Sequence, residues 1–347
     1  MTLKDKHVLV TGGTGSLGRT VVNRMLSGEV GLPRRITVFS RDEAKQHQMR
    51  VDFCNLANST DEVIYRNGQD LLRFVIGNVR DYESLSRAVQ GVDVVINASA
   101  LKQVPTCELF PDEAVKTNIQ GAQNLVRAVR EFGHSVEHVV GISTDKACKP
   151  INVMGMTKAI MERILINGNI ECERTKFNVV RYGNVVASRG SVVPLFLQQI
   201  EHGGPVTITT KDMTRFLLSL DRAVDTVFAA LEDGRRGETF VPLVESARIV
   251  DVAKALIEGR DIDVIVTGIR PGEKIHEIMV SDEERYRTIK RGDYYVIQPM
   301  LEPLSPIQVD VPMASEYSSA QVTLDQDGIK RMLAPIFGTK AMVRMAA

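Results

Sequence analysis

An α/β fold, in which a doubly wound parallel sheet is followed by a smaller mixed α/β domain, is predicted by two patterns in the sequence. In the first half of the chain, short apolar segments typical of buried strands alternate with segments whose apolar residues recur at helical spacing. Such alternation is typical of parallel strands joined by right-handed helical crossovers. Beyond residue 185 the segments become shorter and richer in proline and glycine. We therefore expect a first domain over residues 1–185, with 215–240 packing back on it, and a second over 186–347.

The individual strands and helices follow from the apolar spacing. Six strands are predicted in the first domain, at residues 7–10, 35–39, 72–77, 93–97, 139–142 and 177–182. Its helices are predicted at residues 19–26, 82–89, 111–124, 126–132 and 157–168. In the second domain the pattern predicts a strand at 206–209 and helices at 221–231, 249–257 and 322–333. The tail is expected to fray from about residue 338.

The composition favours a globular cytoplasmic protein of one large or two intimate domains. The chain has 347 residues, of which 43 are basic and 43 acidic, so no net charge attracts nucleic acid or a membrane surface. Any anionic ligand must therefore be bound by a local site. No apolar run approaches the roughly 18 residues that span a bilayer, and no signal peptide is recognised. The four cysteines lack the spacing of a zinc site or a disulfide framework, so no metal is expected.

A glycine-rich loop follows the first predicted strand. Gly12, Gly15 and Gly18 form a GxxGxxG pattern between that strand and the first helix. Glycines at this spacing permit a tight turn, close approach of the backbone to a diphosphate, and close packing of the helix on the strand. The loop therefore predicts a dinucleotide site of the Rossmann type. The other loop residues expected to contact the cofactor are Thr14, Ser16 and Leu17.

The end of the second strand favours NADP over NAD. An acidic residue directly at this position would bind the ribose diol of NAD, whereas Ser40 and Arg41 suit the additional phosphate of NADP. Lys45 is expected to assist them. Asp42 and Glu43 follow immediately, either as competitors for the ribose or as ordinary acids in the first turn of a helix.

Further cofactor contacts are expected after the third and fourth strands, from Asn78, Val79, Ala98, Ala100 and Lys102. Asn78 and Val79 form a polar and apolar pair suited to the edge of an adenine ring. Small residues after the fourth strand let the backbone lie close to a cofactor, and Lys102 either binds a phosphate or sugar or is a solvated loop lysine. Asn118, within a predicted helix, is expected to hold a helix kink or a backbone carbonyl, or to have a purely structural role.

The stretch after the fifth strand carries the clearest candidates for catalysis. Asp145 and Lys146 place an acid beside a base at the carboxyl end of a buried strand, where they are well positioned for proton transfer. The alternative is a surface loop with a charged pair. If the following helix starts near residue 153, Met154 and Lys158 lie one turn apart on the same face.

Cations in the second half of the chain suit a nucleotide-linked substrate. They are Arg215, Arg248, Arg270 and Lys274. Scattered arginines are usually solvated or paired, so no single one identifies a site.

These motifs together resemble the extended short-chain dehydrogenase/reductase superfamily. The resemblance covers residues 5–335 and is carried by the glycine loop, Ser143-Thr144-Asp145-Lys146, Lys158, Arg181-Tyr182-Gly183-Asn184-Val185, and Arg270-Pro271-Gly272-Glu273-Lys274. Within the superfamily the chain is most similar to nucleotide-sugar 4,6-dehydratases that convert UDP-N-acetylglucosamine with inversion at C5, in the capsule and O-antigen branch.

The resemblance implies a lyase of polysaccharide biosynthesis that works with NADP as a homo-oligomer, dimer or hexamer, with 5-epimerisation as an added activity. Lys158 then holds the nicotinamide ribose. The substrate residues that it implies are Lys102, Asn184, Arg189, Arg215, Arg270 and Glu273, with Arg215 and Arg270 on the diphosphate.

The sequence departs from the usual Tyr-x-x-x-Lys pattern of the superfamily, because the tyrosine position is Met154. A thioether cannot accept or deliver a proton, so the usual proton acceptor at C4 is missing. The capsule branch resembles this chain in having methionine there. The candidates for the C4 proton acceptor are Cys107, Thr144, Asp145 and a water molecule.

The expected chemistry is oxidation at C4, elimination of water across C5 and C6, and reduction at C6. Lys146, held near neutral by a dry site, is expected to abstract the C5 hydrogen, and Asp145 to protonate the departing hydroxyl group. Two alternatives remain. A UDP-sugar 4-epimerase uses the same cofactor without a C5 base, and a non-catalytic nucleotide-binding sensor would explain Met154.

Overall fold

The computed structural model of the chain describes residues 2–54, 71–186, 191–305, 313–321 and 323–334. Its strands in chain order are β1 (His7–Thr11), β2 (Arg35–Ser40), β3 (Leu72–Ile76), β4 (Val94–Asn97), β5 (His138–Thr144), β6 (Lys176–Tyr182), β7 (Asn184–Val185), β8 (Val206–Ile208), β9 (Thr214–Leu218), β10 (Thr239–Pro242), β11 (Ser246–Arg248), β12 (Val264–Val266), β13 (Ile278–Val280), β14 (Thr288–Arg291), β15 (Tyr294–Ile297) and β16 (Tyr317–Ser318). Its helices are α1 (Ser16–Leu26), α2 (Glu43–Cys54), α3 (Tyr82–Ala88), α4 (Val104–Leu109), α5 (Pro111–Ala114), α6 (Gly121–Phe132), α7 (Val153–Glu171), α8 (Val192–Glu201), α9 (Leu220–Asp233), α10 (Ile249–Ile257) and α11 (Asp282–Arg285). A π-helical turn spans Val115–Gln120, 3-10 turns span Asp145–Ala147 and Glu302–Leu304, and residues 326–334 are helical.

One large sheet organises the described residues. Its nine strands lie in the order β3-β2-β1-β4-β5-β6-β10-β15-β14. The strands from β3 to β10 run parallel, and β15 and β14 add an antiparallel edge. The strand order reverses between β1 and β4, so the loops that leave these two strands border a common crevice. The predicted doubly wound α/β class is confirmed.

Helices cover both faces of the large sheet. On one face, Val21 of α1 and Val224 of α9 pack against the sheet in one buried apolar cluster. On the other face, Leu85 of α3, Leu125 of α6 and Leu165 of α7 form a second cluster with the sheet. A sheet buried on both sides needs apolar residues along its whole strands, which explains why β1, β4 and most of β5 are buried throughout.

The second half of the chain builds a smaller mixed region and also returns to the large sheet. Phe196, Val206, Leu256 and Leu333 belong to the separate apolar core of that region. Strands β10, β14 and β15 and helix α9 nevertheless pack with the large sheet. The division at residue 185 stays a prediction.

Several elements differ from those predicted. Helix α1 begins earlier than predicted, at Ser16 within the glycine pattern, so that Gly18 lies in the helix. Helix α7 begins at Val153 because the Asn152 side chain accepts a hydrogen bond from Gly155 N. Helix α2 was not predicted, since its sequence has little apolar periodicity, and the antiparallel pair β14 and β15 was missed because each strand has only four residues.

A buried ion cluster joins the two halves of the chain. Arg181 on β6 lies 2.6 Å from Glu162 Oε2 on α7 and 2.8 Å from Glu284 Oε2 on α11. Its guanidinium also donates to Met279 O on β13 at 2.8 Å, and Ser143 Oγ donates to Glu162 Oε1. These three charged side chains are almost completely buried. Because a buried charge is costly without a partner, removing one member would leave the others uncompensated.

The cluster has a clear effect on ionisation. Burial alone would raise the pKa of Glu284, but the charge and hydrogen bonds of Arg181 lower it to about 2. Burial alone would lower the pKa of Arg181, yet Glu162 and Glu284 together raise it above its ordinary value. Arg181 and Glu284 are therefore both ionised at neutral pH.

Glu284→Gln is expected to destabilise the protein at pH 7 by about 3 kcal/mol, because it leaves part of the Arg181 charge unpaired. The carboxylate contributes stability above its unfolded pKa of 4.5, and this contribution is lost as the pH falls towards about 2. The difference between parent and variant, measured by chemical denaturation followed by circular dichroism, should therefore narrow between these pH values. Glu232→Gln, at an exposed position on α9, is the matched control. A difference that stays constant with pH would contradict this account.

Candidate active site

The glycine loop lies at the switch between β1 and β4. Gly12 has a positive φ of 66°, and a Cβ atom there would lie 2.8 Å from the backbone of Ala98. A Cβ on Gly18 would lie 2.5 Å from Gly13 Cα, so this glycine permits the close packing of α1. Gly15 precedes α1, whose first turn carries no acidic residue and no side-chain cap. The free N–H groups at the start of α1, including those of Ser16 and Leu17, thus suit a diphosphate.

Among the described residues, Arg41 is the cation at the end of β2 that has no ion pair. The Ser40 side chain is buried and accepts a hydrogen bond from Gln46 Nε2 at 3.0 Å. Asp42 accepts from Lys45 N at 3.0 Å and pairs with Lys45 Nζ at 2.5 Å, so both of these side chains are engaged with each other. Arg41 is exposed and has no ion pair among the described residues. Arg41 is therefore the group at this strand end that remains available to an anion.

The loops after β3 and β4 carry further residues expected to contact the cofactor. Asn78 Oδ1 accepts a hydrogen bond from Arg80 N at 3.1 Å. Val79 is buried and packs closely on Gly121, because a Cβ atom on that glycine would collide with the Val79 side chain. Ala98 N donates to Thr11 O at 3.1 Å, which continues the β1–β4 pairing beyond the strand end. Ala100 and Lys102 are exposed, and Lys102 has no ion pair in the described part of the chain.

Asn118 fixes the loop that contains Lys102. It lies in the π-helical turn and is 1% exposed. Its amide binds both backbone groups of Leu101, accepting from N at 2.8 Å and donating to O at 3.0 Å, and it donates to Thr157 Oγ1 at 3.0 Å. Both amide hydrogens are thus donated within the protein, and Asn118 fixes the position of Leu101 relative to helix α7.

Met154 and Lys158 lie one turn apart at the start of α7, and both are buried. Lys158 Nζ donates to Ile142 O at 2.5 Å, and burial lowers the pKa of Lys158 to about 8, with Glu162 opposing that shift. Met154 packs with Cys107 and Ala114 in a small apolar cluster. Met154 therefore places an apolar side chain, packed against other apolar side chains, at the position where the superfamily usually has a tyrosine.

Cys107 is poorly suited to proton transfer in this arrangement. Its side chain is completely buried, and its thiol contacts Leu101 O at 3.7 Å. Burial, assisted by Glu108, raises the pKa of the thiol, so it stays protonated. Thr144, in contrast, is partly exposed, and its hydroxyl donates to Asp145 Oδ1 at 2.9 Å.

Lys146 lies between two buried carboxylates. Its Nζ is 3.0 Å from Asp145 Oδ1, 3.2 Å from Glu277 Oε1 and 3.5 Å from Asn184 Oδ1. Asp145 and Glu277 are 0% and 2% exposed, whereas the Lys146 side chain is 21% exposed. The outer oxygens, Asp145 Oδ2 and Glu277 Oε2, are buried and have no hydrogen-bond partner among the described residues. We call Asp145, Lys146 and Glu277 the acid–base trio.

The expectation that burial keeps Lys146 near neutral is wrong. Burial is the largest single influence and lowers the pKa of Lys146, but the charges of Asp145 and Glu277 together raise it above its ordinary value. The resting side chain is therefore an ammonium. A neutral amine can form only if its proton moves to a neighbour, and the hydrogen-bonded carboxylate of Asp145 is the nearest acceptor.

The residues expected to hold a substrate differ in burial and in pairing. Arg215 is buried, donates to Thr214 O at 2.7 Å and Ile275 O at 3.1 Å, and lies 3.9 Å from Glu277. Arg270 is 60% exposed, and Glu273 is its partner at 3.8 Å. Asn184 lies on β7 beside Lys146. Arg189 lies outside the described residues. Of the two arginines expected on a diphosphate, only Arg270 presents its guanidinium to solvent.

The loop with Arg270 is attached to the start of α7. Asn152 Nδ2 donates to Gly272 O at 2.8 Å while its Oδ1 caps the helix. Lys274 Nζ donates to Cys148 O at 2.6 Å, and burial lowers the pKa of Lys274. These bonds bring the loop close to Met154, Lys158 and the trio.

Two site residues were missed by the sequence reasoning. Glu277 follows the Arg270 loop and carries no motif of its own, and Asn152 is a single polar residue ahead of the predicted helix. The only local signal for Glu277 is that it directly precedes the apolar residues 278–280. In the described residues, no three His, Cys, Asp or Glu side chains form a metal site. No helix within the described ranges is both long and apolar enough to cross a bilayer.

The fold and this site define an extended short-chain dehydrogenase/reductase, and the predicted superfamily is confirmed. The family model described as "Polysaccharide biosynthesis protein" matches residues 8–299. The chain belongs to that family.

Relatives and solved structures agree with this assignment. A Rickettsia akari protein named UDP-glucose 4-epimerase is 44% identical over 298 residues, which are 84% of this chain and 83% of that protein. The X-ray structure of Pen from Bacillus thuringiensis matches with a TM-score of 0.84 at 30% identity, over 96% of this chain and 100% of that chain. DesIV, a dTDP-glucose 4,6-dehydratase from Streptomyces venezuelae with NAD and TYD bound, matches with a TM-score of 0.68 over 96% and 98% of the two chains. At 18% identity it supports the fold alone.

Proposed function

We propose that the protein is a UDP-N-acetylglucosamine 4,6-dehydratase that inverts C5 and makes a UDP-2-acetamido-2,6-dideoxy-4-hexulose for capsule or O-antigen polysaccharide. The observation that carries this proposal is the direct contact between Asp145 and Lys146 at the buried end of β5. Elimination across C5 and C6 needs a base and an acid close together, and these two residues supply both. A 4-epimerase has no step that uses them.

The residues fit a bound nicotinamide dinucleotide. Its diphosphate would fit beside Gly12, where the lack of a Cβ atom leaves space. It would also face the start of α1, which has no side-chain cap. NADP is favoured over NAD because Asp42 is held by Lys45, whereas Arg41 remains free in the described structure. When bound, this group supplies the hydride acceptor for C4 and the hydride donor for C6. In this proposal Lys158, which is buried on α7, holds the nicotinamide ribose.

Asp145 and Lys146 can carry out the elimination after one proton has moved from the lysine to the aspartate. Lys146 passes its proton to Asp145 along their 3.0 Å hydrogen bond, which gives a neutral amine and a neutral carboxylic acid. The amine then takes the hydrogen from C5 as the C5–H bond breaks, and Asp145 protonates the C6 hydroxyl group, which leaves as water. The double bond forms between C5 and C6, and the trio returns to its resting charges.

Thr144 suits the missing role at C4 better than Cys107 does. Thr144 is partly exposed and its hydroxyl is already bonded to Asp145, whereas the Cys107 side chain is fully buried and its thiol has a raised pKa. Met154, which packs against Cys107, holds that part of the site dry and apolar.

A UDP-sugar 4-epimerase is the second candidate, because the Rickettsia akari relative at 44% identity carries that name. The two functions differ in the fate of C5. Only the dehydratase breaks the bond between C5 and its hydrogen.

Incubation of the protein with NADP and UDP-N-acetylglucosamine in D2O separates the candidates. We expect NMR to show deuterium at C5 and a 4-keto-6-deoxy product, because the C5 hydrogen is replaced from solvent after elimination. A change of configuration at C4 alone would identify an epimerase and contradict the proposal. No change in any UDP-hexose would favour a non-catalytic nucleotide-binding protein.

Arg41→Ala tests the proposed cofactor. We expect the dissociation constant for NADP to rise about 10-fold or more, because the variant loses a charge-assisted bond to the additional phosphate, while NAD binding changes little. Isothermal calorimetry measures both. Arg174→Ala, which removes another exposed arginine, is the control. Equal losses for NADP and NAD, or tighter binding of NAD by the parent, would contradict the assignment.

A further inference from the structure

Glu277 is held rigidly at the entrance to β13. Its backbone N donates to Ser319 Oγ at 2.9 Å, and its carbonyl accepts from Ser319 N at 2.8 Å. Ser319 Oγ is in turn bonded to Thr214 Oγ1 at 2.7 Å. Arg181 adds a bond to Met279 O, two residues further along the chain. The backbone from which the Glu277 side chain extends is therefore fixed by hydrogen bonds at residue 277 and again at residue 279.

The carboxylate of Glu277 is directed at Lys146. Its Oε1 lies 3.2 Å from Lys146 Nζ and 3.9 Å from Arg215 Nε, and its Oε2 is buried without a hydrogen-bond partner in the described chain. Arg215 has other acceptors, since it donates to two backbone carbonyls. The contact with Lys146 is the shorter one, so we assign the primary role of Glu277 to that lysine.

The charged groups that face Lys146 come from several elements. Asp145 precedes it, Glu277 and Arg215 approach from the second half of the chain, and Lys274 lies near enough to influence its charge. Asp145 and Glu277 favour the ammonium form, whereas Arg215 and Lys274 oppose it. The balance therefore depends on both carboxylates. Asp145 has a proton-transfer role in the proposed reaction, which leaves Glu277 as the partner whose charge stays constant.

We propose that Glu277 is a positioning residue that holds the Lys146 amine in place throughout the reaction and stabilises the ammonium whenever Lys146 is protonated. The part of this proposal that concerns the reaction rests on the proposed dehydratase function. A neutral lysine amine keeps two hydrogens, so it still donates one to Glu277 after its proton has moved to Asp145. The amine consequently stays beside the substrate instead of rotating away.

Glu277 also acts when the C5 hydrogen is transferred. The C5–H bond breaks, its proton joins the Lys146 amine, and a new ammonium forms 3.2 Å from a carboxylate that has remained ionised. Opposite charge at that distance stabilises the ammonium. Glu277 exchanges no atom with the substrate, and its own charge is the same before and after the step.

The first measurement does not depend on turnover. In competitive acetylation of the intact protein, followed by mass spectrometry of the Lys146 peptide, only the neutral amine reacts. Glu277→Gln keeps the shape of the side chain but removes its charge, so at a fixed pH near 8 we expect Lys146 to react about tenfold faster. Glu277→Asp keeps the charge and should stay within about threefold of the parent, while Glu232→Gln should equal it. An unchanged rate in a folded Glu277→Gln protein overturns the proposal.

The second measurement follows C5 exchange in D2O with UDP-N-acetylglucosamine. We expect Glu277→Gln to lower the maximal exchange rate about 10- to 100-fold with KM within about twofold, and to shift the alkaline limb of its pH profile to lower pH. Glu277→Asp should retain the pH profile of the parent. Equal losses in Glu277→Gln and Glu277→Asp, or a Glu277→Gln protein with parental rate and profile, overturn the proposal. A parent protein that exchanges no C5 hydrogen refutes the proposed function instead, and the acetylation rates then decide the role of Glu277.

Discussion

The contact of Lys146 with two buried carboxylates is the interaction on which the rest of the site depends. Asp145 reaches the ammonium from the end of β5, while Glu277 reaches it from a segment more than a hundred residues further along the chain. Charges removed from water must be paired and held in place, or they destabilise the protein. The two parts of the chain are therefore required to meet at a fixed separation.

A second buried cluster provides that separation. Arg181 lies on β6 and is paired in register with Ser143 on β5, two residues before Asp145. From there it binds Glu162, Glu284 and the backbone of Met279, which follows Glu277. The same guanidinium thus joins the sheet, helix α7 and the segment that delivers Glu277. Because arginine presents several donors in a planar group, it can make these bonds at once, and lysine could not replace it.

The sequence predicted the local features well and the long-range ones poorly. Apolar spacing predicted six of the seven parallel strands, missing β10, and placed the glycine loop, Asp145 and Lys146 at strand ends, because these signals lie within a few neighbouring residues. Glu277 could not be predicted, since its role arises only when the second half of the chain folds back on β5. The charge of Lys146 was predicted wrongly for the same reason. The sequence pointed to burial of Lys146 but not to Glu277, whose charge, together with that of Asp145, raises the pKa of the lysine where burial alone would lower it.

Arg215 shows a similar effect of folding. Its charge suggested a diphosphate ligand, but the structure buries its guanidinium against backbone carbonyls and beside Glu277. Asn118 is the opposite case, because an asparagine in an apolar helix requires partners, and the structure supplies the backbone of Leu101 and the hydroxyl of Thr157. Burial and pairing, which depend on the whole fold, decide which polar residues remain free for a ligand.

The central claim is that Lys146 transfers the C5 proton, and Lys146→Arg tests it most directly. Arginine keeps the positive charge between the carboxylates but does not give up its proton. In D2O with NADP and UDP-N-acetylglucosamine, we expect the variant to show the absorbance of reduced cofactor, because oxidation at C4 does not need the amine, and to incorporate no deuterium at C5. Deuterium entering C5 at nearly the parental rate would contradict the account.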